Sequence, residues 1–323
     1  MRRREVITLL GGAIAAWPRV AQAQQQAVVG VLRSSSFTGA PQLVTAFKQG
    51  LNERGFVEDQ NVTLLLRSAE DRVEQLPALI SDLVHRQASV LVGDTASALA
   101  AIATSTTTPF VFASGTDPVR DGLVQSLNRP AGNMTGVIFF NRLVGTKRLE
   151  MLRQLLPAPA PIGVLVDLSM RAAEVERTEV EAAALAVGQQ LLVQGVRDEA
   201  EIEAAISGFA HRGARALFVG AGGLLNSHGK AVLSLAARHA LPAAYAQREN
   251  VINGGLMSYG ASMPDAYRQV GLYAARILQG EKPSQLPVIQ AVKFEFVLNL
   301  KTARSLGLDV PDRLLALADE VID

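Results

Sequence analysis

The chain contains no cysteine. That absence excludes disulfides, thiolate catalysis, iron–sulfur clusters, structural Cys–zinc sites and a lipid anchor on cysteine. It leaves the cytosol and the oxidising periplasm equally open. Aromatic residues are scarce at 5%, and charged residues make up only 19%. Neither sign dominates, because 31 Lys+Arg face 30 Asp+Glu for a net charge of +1. No overall field would draw such a chain to nucleic acid or to an anionic membrane. What is abundant is aliphatic residues: 49% of the 323 positions are hydrophobic. That fraction rules out a disordered chain, and the length fits two domains of roughly 100–200 residues better than one.

The N-terminus reads as an export signal. A basic start, Met1-Arg2-Arg3-Arg4-Glu5, precedes an apolar stretch from Val6 to Ala16, followed by Ala21-Gln22-Ala23. Cleavage is expected after Ala23 and places the mature protein in the periplasm. The apolar stretch falls short of the ~20 residues a membrane span requires. The consecutive arginines resemble a twin-arginine signal, although Val6 or a neighbour stands where that motif carries Phe, so general secretion stays open. Removing residues 1–23 takes away Arg2, Arg3, Arg4, Arg19 and Glu5. The mature chain then holds 27 basic and 29 acidic residues, net −2.

After Gln26, short aliphatic runs alternate with helical periodicity. Strands are expected at Ala27–Leu32, Val62–Leu66, Ser89–Val92 and Pro109–Ala113, with helices between them. Nearly continuous apolar strands alternating with helices indicate an α/β chain with parallel sheets covered on both faces. The pattern then recurs, with strands at Pro161–Val166, Leu191–Val196, Ala216–Val219 and Pro242–Tyr245. Gly30 and Gly163, Gly55 and Gly188, and Pro109 and Pro242 are each 133 residues apart. Two copies of one lobe are expected: 27–139 plus about 262–292, and 140–261 plus about 293–323. The tail should hold a helix at 264–280, a strand near 292–298 and a helix at 312–321.

In parallel sheets, ligands bind beyond the carboxyl ends of the strands, where helix N-termini present free N–H groups. The first lobe's turns there carry Ser34-Ser35-Ser36, Asp94-Thr95-Ala96-Ser97 and Ser114-Gly115-Thr116-Asp117, dense in hydroxyls and without Lys or Arg. They suit a small carboxylate, with Asp94 or Asp117 available to an ammonium group. Ser36, Thr95 and Asp117 also read as helix N-caps, a role compatible with ligand contact. The second lobe offers Asp167-Leu168-Ser169 and Tyr245, the latter either stacking on a ligand or packing at a strand end. The candidate binding set is therefore Ser35, Ser36, Thr95, Ala96, Ser114, Thr116, Asp117, Asp167, Ser169 and Tyr245.

Catalytic templates fail. There is no phosphate loop, and Leu225 stands where the Gly220/Gly222 pair would need a third fingerprint glycine. Ser227 and Lys230 supply half of a penicillin-binding pattern without its other elements. His85, His211, His228 and His239 occur singly. No catalysis, cofactor or metal is expected.

Three tracts carry a family resemblance: Thr116-Asp117-Pro118-Val119 with Leu127–Gly136, Gly254–Gly260, and Tyr273–Pro283 continuing through Lys293–Ala303. They are similar to bacterial ABC-transporter substrate-binding proteins of the tryptophan-binding type, and the resemblance spans essentially the whole chain. It implies a type I periplasmic binding protein: two Rossmann-like lobes joined by a multi-crossover hinge and closing on a small-molecule ligand. It also implies an ABC permease and ATPase as partners, with no nucleic acid, and a monomer is expected. In such amino-acid binders the ligand's carboxylate and ammonium sit at the turns that here carry Thr95, Ser114 and Thr116. Where many relatives carry Asn-Pro, this chain has Asp167-Leu168, which favours an ammonium-bearing ligand. A sensor subunit, or a hydrolase using the same cleft, stands as the alternative.

Overall fold

The computed structural model describes residues 26–38, 40–139, 144–156, 160–168 and 171–323. The segment expected to be an export signal, and Ser169, lie outside them.

The first half alternates β1 (Ala27–Arg33), α1 (Pro41–Asn52), β2 (Val62–Ser68), α2 (Leu76–His85), β3 (Val90–Asp94), α3 (Thr95–Ala103), β4 (Phe110–Ser114) and β5 (Met134–Ile138). The second half runs α4 (Gly145–Gln154), β6 (Ile162–Asp167), α5 (Arg171–Ala186), β7 (Leu191–Val196), α6 (Glu199–His211), β8 (Ala216–Val219), α7 (Gly223–Ser227), α8 (Gly229–Arg238), β9 (Ala243–Tyr245), α9 (Arg248–Ile252) and β10 (Met257–Ala261). The tail contributes α10 (Met263–Leu278), β11 (Ile289–Gln290), β12 (Phe294–Asn299), α11 (Leu300–Ser305), α12 (Asp312–Leu317) and β13 (Glu320–Ile322).

Two sheets result, with orders β11-β5-β4-β3-β1-β2 and β13-β12-β10-β9-β8-β6-β7. The run 5-4-3-1-2 of the first is repeated as 10-9-8-6-7 in the second. Every pairing is parallel except β10 with β12. The chain passes between the sheets after β5, between β10 and α10, and between β11 and β12. We call each sheet with its helices a lobe.

The spacings behind the repeat have local causes. Gly55 and Gly188 close their helices at φ of 83° and 64°, the left-handed region that glycine adopts without a Cβ penalty. Strands β4 and β9 both start one residue after the matched prolines, at Phe110 and Ala243. The offset then falls to 123 between β5 and β10, because the first lobe makes the longer connection. Strand β5, fully buried, and its counterpart β10 are absent from the sequence reading. Gly136 and Gly260 interrupt their aliphatic pattern.

Helix α1 buries Leu43, Ala46, Phe47 and Leu51, a helical-period stripe, against α10. Added Cβ atoms at Gly50 and Gly271 would stand 2.0 Å and 2.3 Å from the backbone oxygens of Arg268 and Phe47. The two helices therefore touch backbone to backbone. The tail corrects one expectation: the last helix stops at Leu317, and Glu320–Ile322 forms a strand beside β12. Asp319 causes the switch. Its N–H donates to the Phe296 carbonyl at 2.9 Å, and its Oδ2 accepts from the Phe296 N–H at 2.8 Å.

Candidate functional site

Between the lobes lies a cleft of about 740 Å³, lined from both sides by the turns at the carboxyl ends of the strands. On the first lobe the wall is built around Asp94, the N-cap of α3. Its Oδ1 accepts from the Ser97 N–H (2.9 Å) and hydroxyl (2.7 Å). Its Oδ2 accepts from the Ser34 N–H (2.8 Å) and hydroxyl (2.7 Å). One carboxylate thus ties the turn after β1 to the turn after β3. The next turn is tied in by Ser114. This buried hydroxyl accepts from Thr95 Oγ1 at 3.0 Å and from the Thr116 N–H at 3.1 Å, and lies 3.0 Å from Thr116 Oγ1.

Ser35, Ser36, Thr95, Ala96 and Thr116 line the cleft together with Asp94. Ser114 sits beneath them and holds two of them in place. Asp117 does not line it. Its Oδ1 accepts from the N–H groups of Val119 (3.0 Å) and Arg120 (3.3 Å), capping the turn beyond. Asp94, with four donors already on it, is committed to structure rather than to an ammonium group. The turns are also less free of cations than the sequence reading held. Arg33, the last residue of β1, lines the cleft, donates from Nη2 to Ser35 Oγ at 2.9 Å and lies over the Phe37 ring. Behind it, burial pushes the Tyr267 phenol up to about 12, with Arg33 partly opposing the shift and Asp94 adding to it.

The second lobe corrects two expectations. Tyr245 is 1% exposed and packs with Phe209, Leu217 and Val232 in the core. Gly255 lies so close that a Cβ there would approach the tyrosine ring to 2.7 Å. Burial pushes its phenol well above the usual range. The ring is core packing and offers no face to a ligand. Asp167 is fully buried under Gly222, and its Oδ2 accepts from the Leu224 N–H at 2.9 Å. It faces the lobe's interior and joins the turns after β6 and β8, as Asp94 joins those after β1 and β3. The cleft wall here includes Ala221, Gly222 and Gly223, with Asn226, Ser227, Lys230 and Leu233 beyond, and Gln247, Glu249 and Asn250 at the start of α9.

Sequence reasoning missed the group that fixes this wall. Arg148 on α4 is fully buried, donates to Glu176 Oε1 at 2.7 Å and stacks 4.4 Å from the Phe218 ring centroid. Burial lowers its pKa from the ordinary arginine value, and Glu176 opposes that shift. The other Glu176 oxygen accepts from the Ala221 N–H at 2.6 Å, so a buried ion pair holds the cleft-lining loop. The signal was present in the sequence: Arg148 occupies the face of its helix that carries Leu152 and Leu155.

Residues 28–322 match the family described as ABC transporter substrate binding protein. The chain belongs to that family. This substrate-binding protein is 24% identical over 263 residues to a tyrosine-binding protein of Clostridioides difficile (strain R20291), a match covering 81% of this chain and 75% of the relative. Among solved structures, it is similar to an ABC domain from Streptococcus pneumonia in complex with L-Trp. That match has 26% identity and a TM-score of 0.79, and covers 92% of this chain and all of that one. It is also similar to a conserved domain protein from Vibrio cholerae O1 biovar eltor, at 25% identity, a TM-score of 0.77 and the same coverage. The fold is that of type I periplasmic binding proteins. No helix among the described residues of this substrate-binding protein is long and apolar enough to cross a membrane.

Proposed function

We propose that this substrate-binding protein is the periplasmic receptor of an ABC uptake system, capturing a small carboxylate of the amino-acid class. Residues 1–23 direct export and are removed. Lobe 1 comprises 27–139 plus about 262–292, and lobe 2 comprises 140–261 plus about 293–323. The observation that carries the reading is the cleft itself: one continuous cavity with walls built from equivalent turns of two repeated lobes. A ligand touching both walls favours the closed arrangement by the difference in contacts it makes open and closed.

The ligand's carboxylate sits at Ser35, Ser36 and the Thr95–Ser114–Thr116 network, beside the Arg33 guanidinium, whose Nε and Nη1 carry no protein hydrogen bond among the described residues. The ligands named for the relatives, tyrosine and L-Trp, support the amino-acid class. The protein acts as a monomer, catalyses no reaction and hands its cargo to a permease driven by an ATPase.

A thermal-shift screen of the mature chain against amino acids, hydroxy acids and sugars tests this reading. A ligand at 100 times its dissociation constant should add ~2.7 kcal/mol of stability. Thr116→Ala should weaken binding while leaving the unliganded melting temperature nearly unchanged. Turnover of a substrate, with no stabilisation by any carboxylate, would sink the proposal.

A further inference from the structure

The two walls differ in what they leave available. Among the described residues, the side chains of Asn226, Gln247 and Asn250 on the second lobe have no protein hydrogen-bond partner, and Lys230 has no ion-pair partner. All four line the cleft. No aromatic ring lies on that wall, since Tyr245 is sealed in the core. The one ring among the described lining residues is Phe139, on the first lobe, packed against Gly115 and the core of that lobe. An aromatic side chain seated against the second-lobe wall would meet these amides and the Lys230 ammonium, with Leu233 the one large apolar side chain among that wall's described residues. It would strip their water without replacing their hydrogen bonds, which is costly.

We propose that the cargo is a hydrophilic amino acid whose side chain carries oxygen, and that Gln247, Asn250, Asn226 and Lys230 read that side chain from the second lobe. This rests on the amino-acid reading above, and it adds a division of labour. The first lobe holds the carboxylate common to all amino acids, and the second lobe sets specificity. Amide N–H₂ groups and the Lys230 ammonium donate to the oxygens of a hydroxyl, carboxamide or carboxylate. The amide oxygens are left to accept any proton the side chain offers. Sites that hydrogen-bond their substrate discriminate strongly against analogues that cannot answer.

Calorimetric titration of the mature chain with L-serine, L-glutamine, L-glutamate, L-leucine, L-phenylalanine, L-tyrosine and L-tryptophan tests the inference. The tightest binding is expected from one of the first three, with the apolar and aromatic members weaker by about tenfold or more. Which of the three leads distinguishes hydroxyl, carboxamide and carboxylate recognition. Gln247→Ala and Asn250→Ala should each weaken that ligand severalfold without lowering the unliganded melting temperature, because neither side chain is bonded within the protein. Tightest binding of an aromatic amino acid, or unchanged affinity in both variants, overturns the inference while leaving the receptor reading standing. Silence from all seven amino acids overturns the amino-acid reading and the inference with it.

Discussion

The two walls of the cleft descend from the same sequence pattern and meet their ligand in different states. On the first lobe the carboxylate and hydroxyls are largely spent on one another, Asp94 taking four donors and Ser114 tying Thr95 to Thr116, while Arg33 keeps donors unpartnered among the described residues, at Nε and Nη1. On the second, Asn226, Gln247 and Asn250 are uncommitted among the described residues, while the backbone behind them is held by Arg148 and Glu176. The carboxylate that joins the first-strand and third-strand turns has also changed places. It ends the third strand in one lobe (Asp94) and the first strand in the other (Asp167). A rigid wall loses little entropy when it receives a group that every ligand shares. A wall of free side chains on a fixed backbone can be retuned by substitution without disturbing the fold.

The largest expected effect comes from removing the support of the second wall. Arg148→Met strands the Glu176 carboxylate in the core and should cost about 3–5 kcal/mol. The double variant Arg148→Met/Glu176→Leu should recover much of the stability in urea unfolding, yet bind ligand poorly, because the Ala221 N–H has lost its acceptor. Equal stability of the single and double variants would show that the pair is not acting as a unit.

On the first wall, Asp94→Asn replaces one acceptor oxygen by a donor facing other donors. About 1–3 kcal/mol of stability should be lost, with affinity falling for every ligand alike. A loss confined to one ligand class would contradict the division between a common anchor and a specificity wall.

The smallest effect concerns the hinge side of the second lobe. Glu295 on β12 has its pKa raised above 4.5 by burial, with Arg248, 3.7 Å away, opposing the shift. A raised carboxyl pKa means that the folded state binds its proton first as pH falls. The group's stabilising contribution is therefore complete below 4.5 and lost as pH rises through the folded value. The melting temperature of the parent chain should gain on that of Glu295→Gln as pH drops towards 4.5. Parallel melting curves across that range would rule the contribution out.

Much of this was legible in the sequence. Aliphatic runs and helical periods located strands β1 to β4 and β6 to β9, and the 133-residue register showed that they form two sets. The cleft followed from the rule that turns at the carboxyl ends of parallel strands gather ligands, and Ser35, Ser36, Thr95, Ala96 and Thr116 do line it. Tyr245 and Asp167 were misassigned because a position at a strand end gives the edge of the sheet and not the face. Alternation along the strand decides the face. The register could have settled Tyr245, since its counterpart 133 residues earlier is Phe112, equally buried. The helix face of Arg148 was legible, but its partner was not, because Glu176 reaches it only through the packing of two helices.

The backbone contact between α1 and α10 also governs when each half of the molecule can finish folding. The first lobe's core includes Ala266, Tyr267, Val270, Tyr273 and Ala274, residues made only after most of the second lobe has been synthesised. The second lobe in turn waits for Phe296 and Leu298. A nascent chain that stops short of residue 263 leaves α1 with its glycine-notched face uncovered. Neither half completes its core ahead of the other by much, so the chain stays incompletely packed until residues 263–314 have been made, and both halves draw their missing core from that one tract.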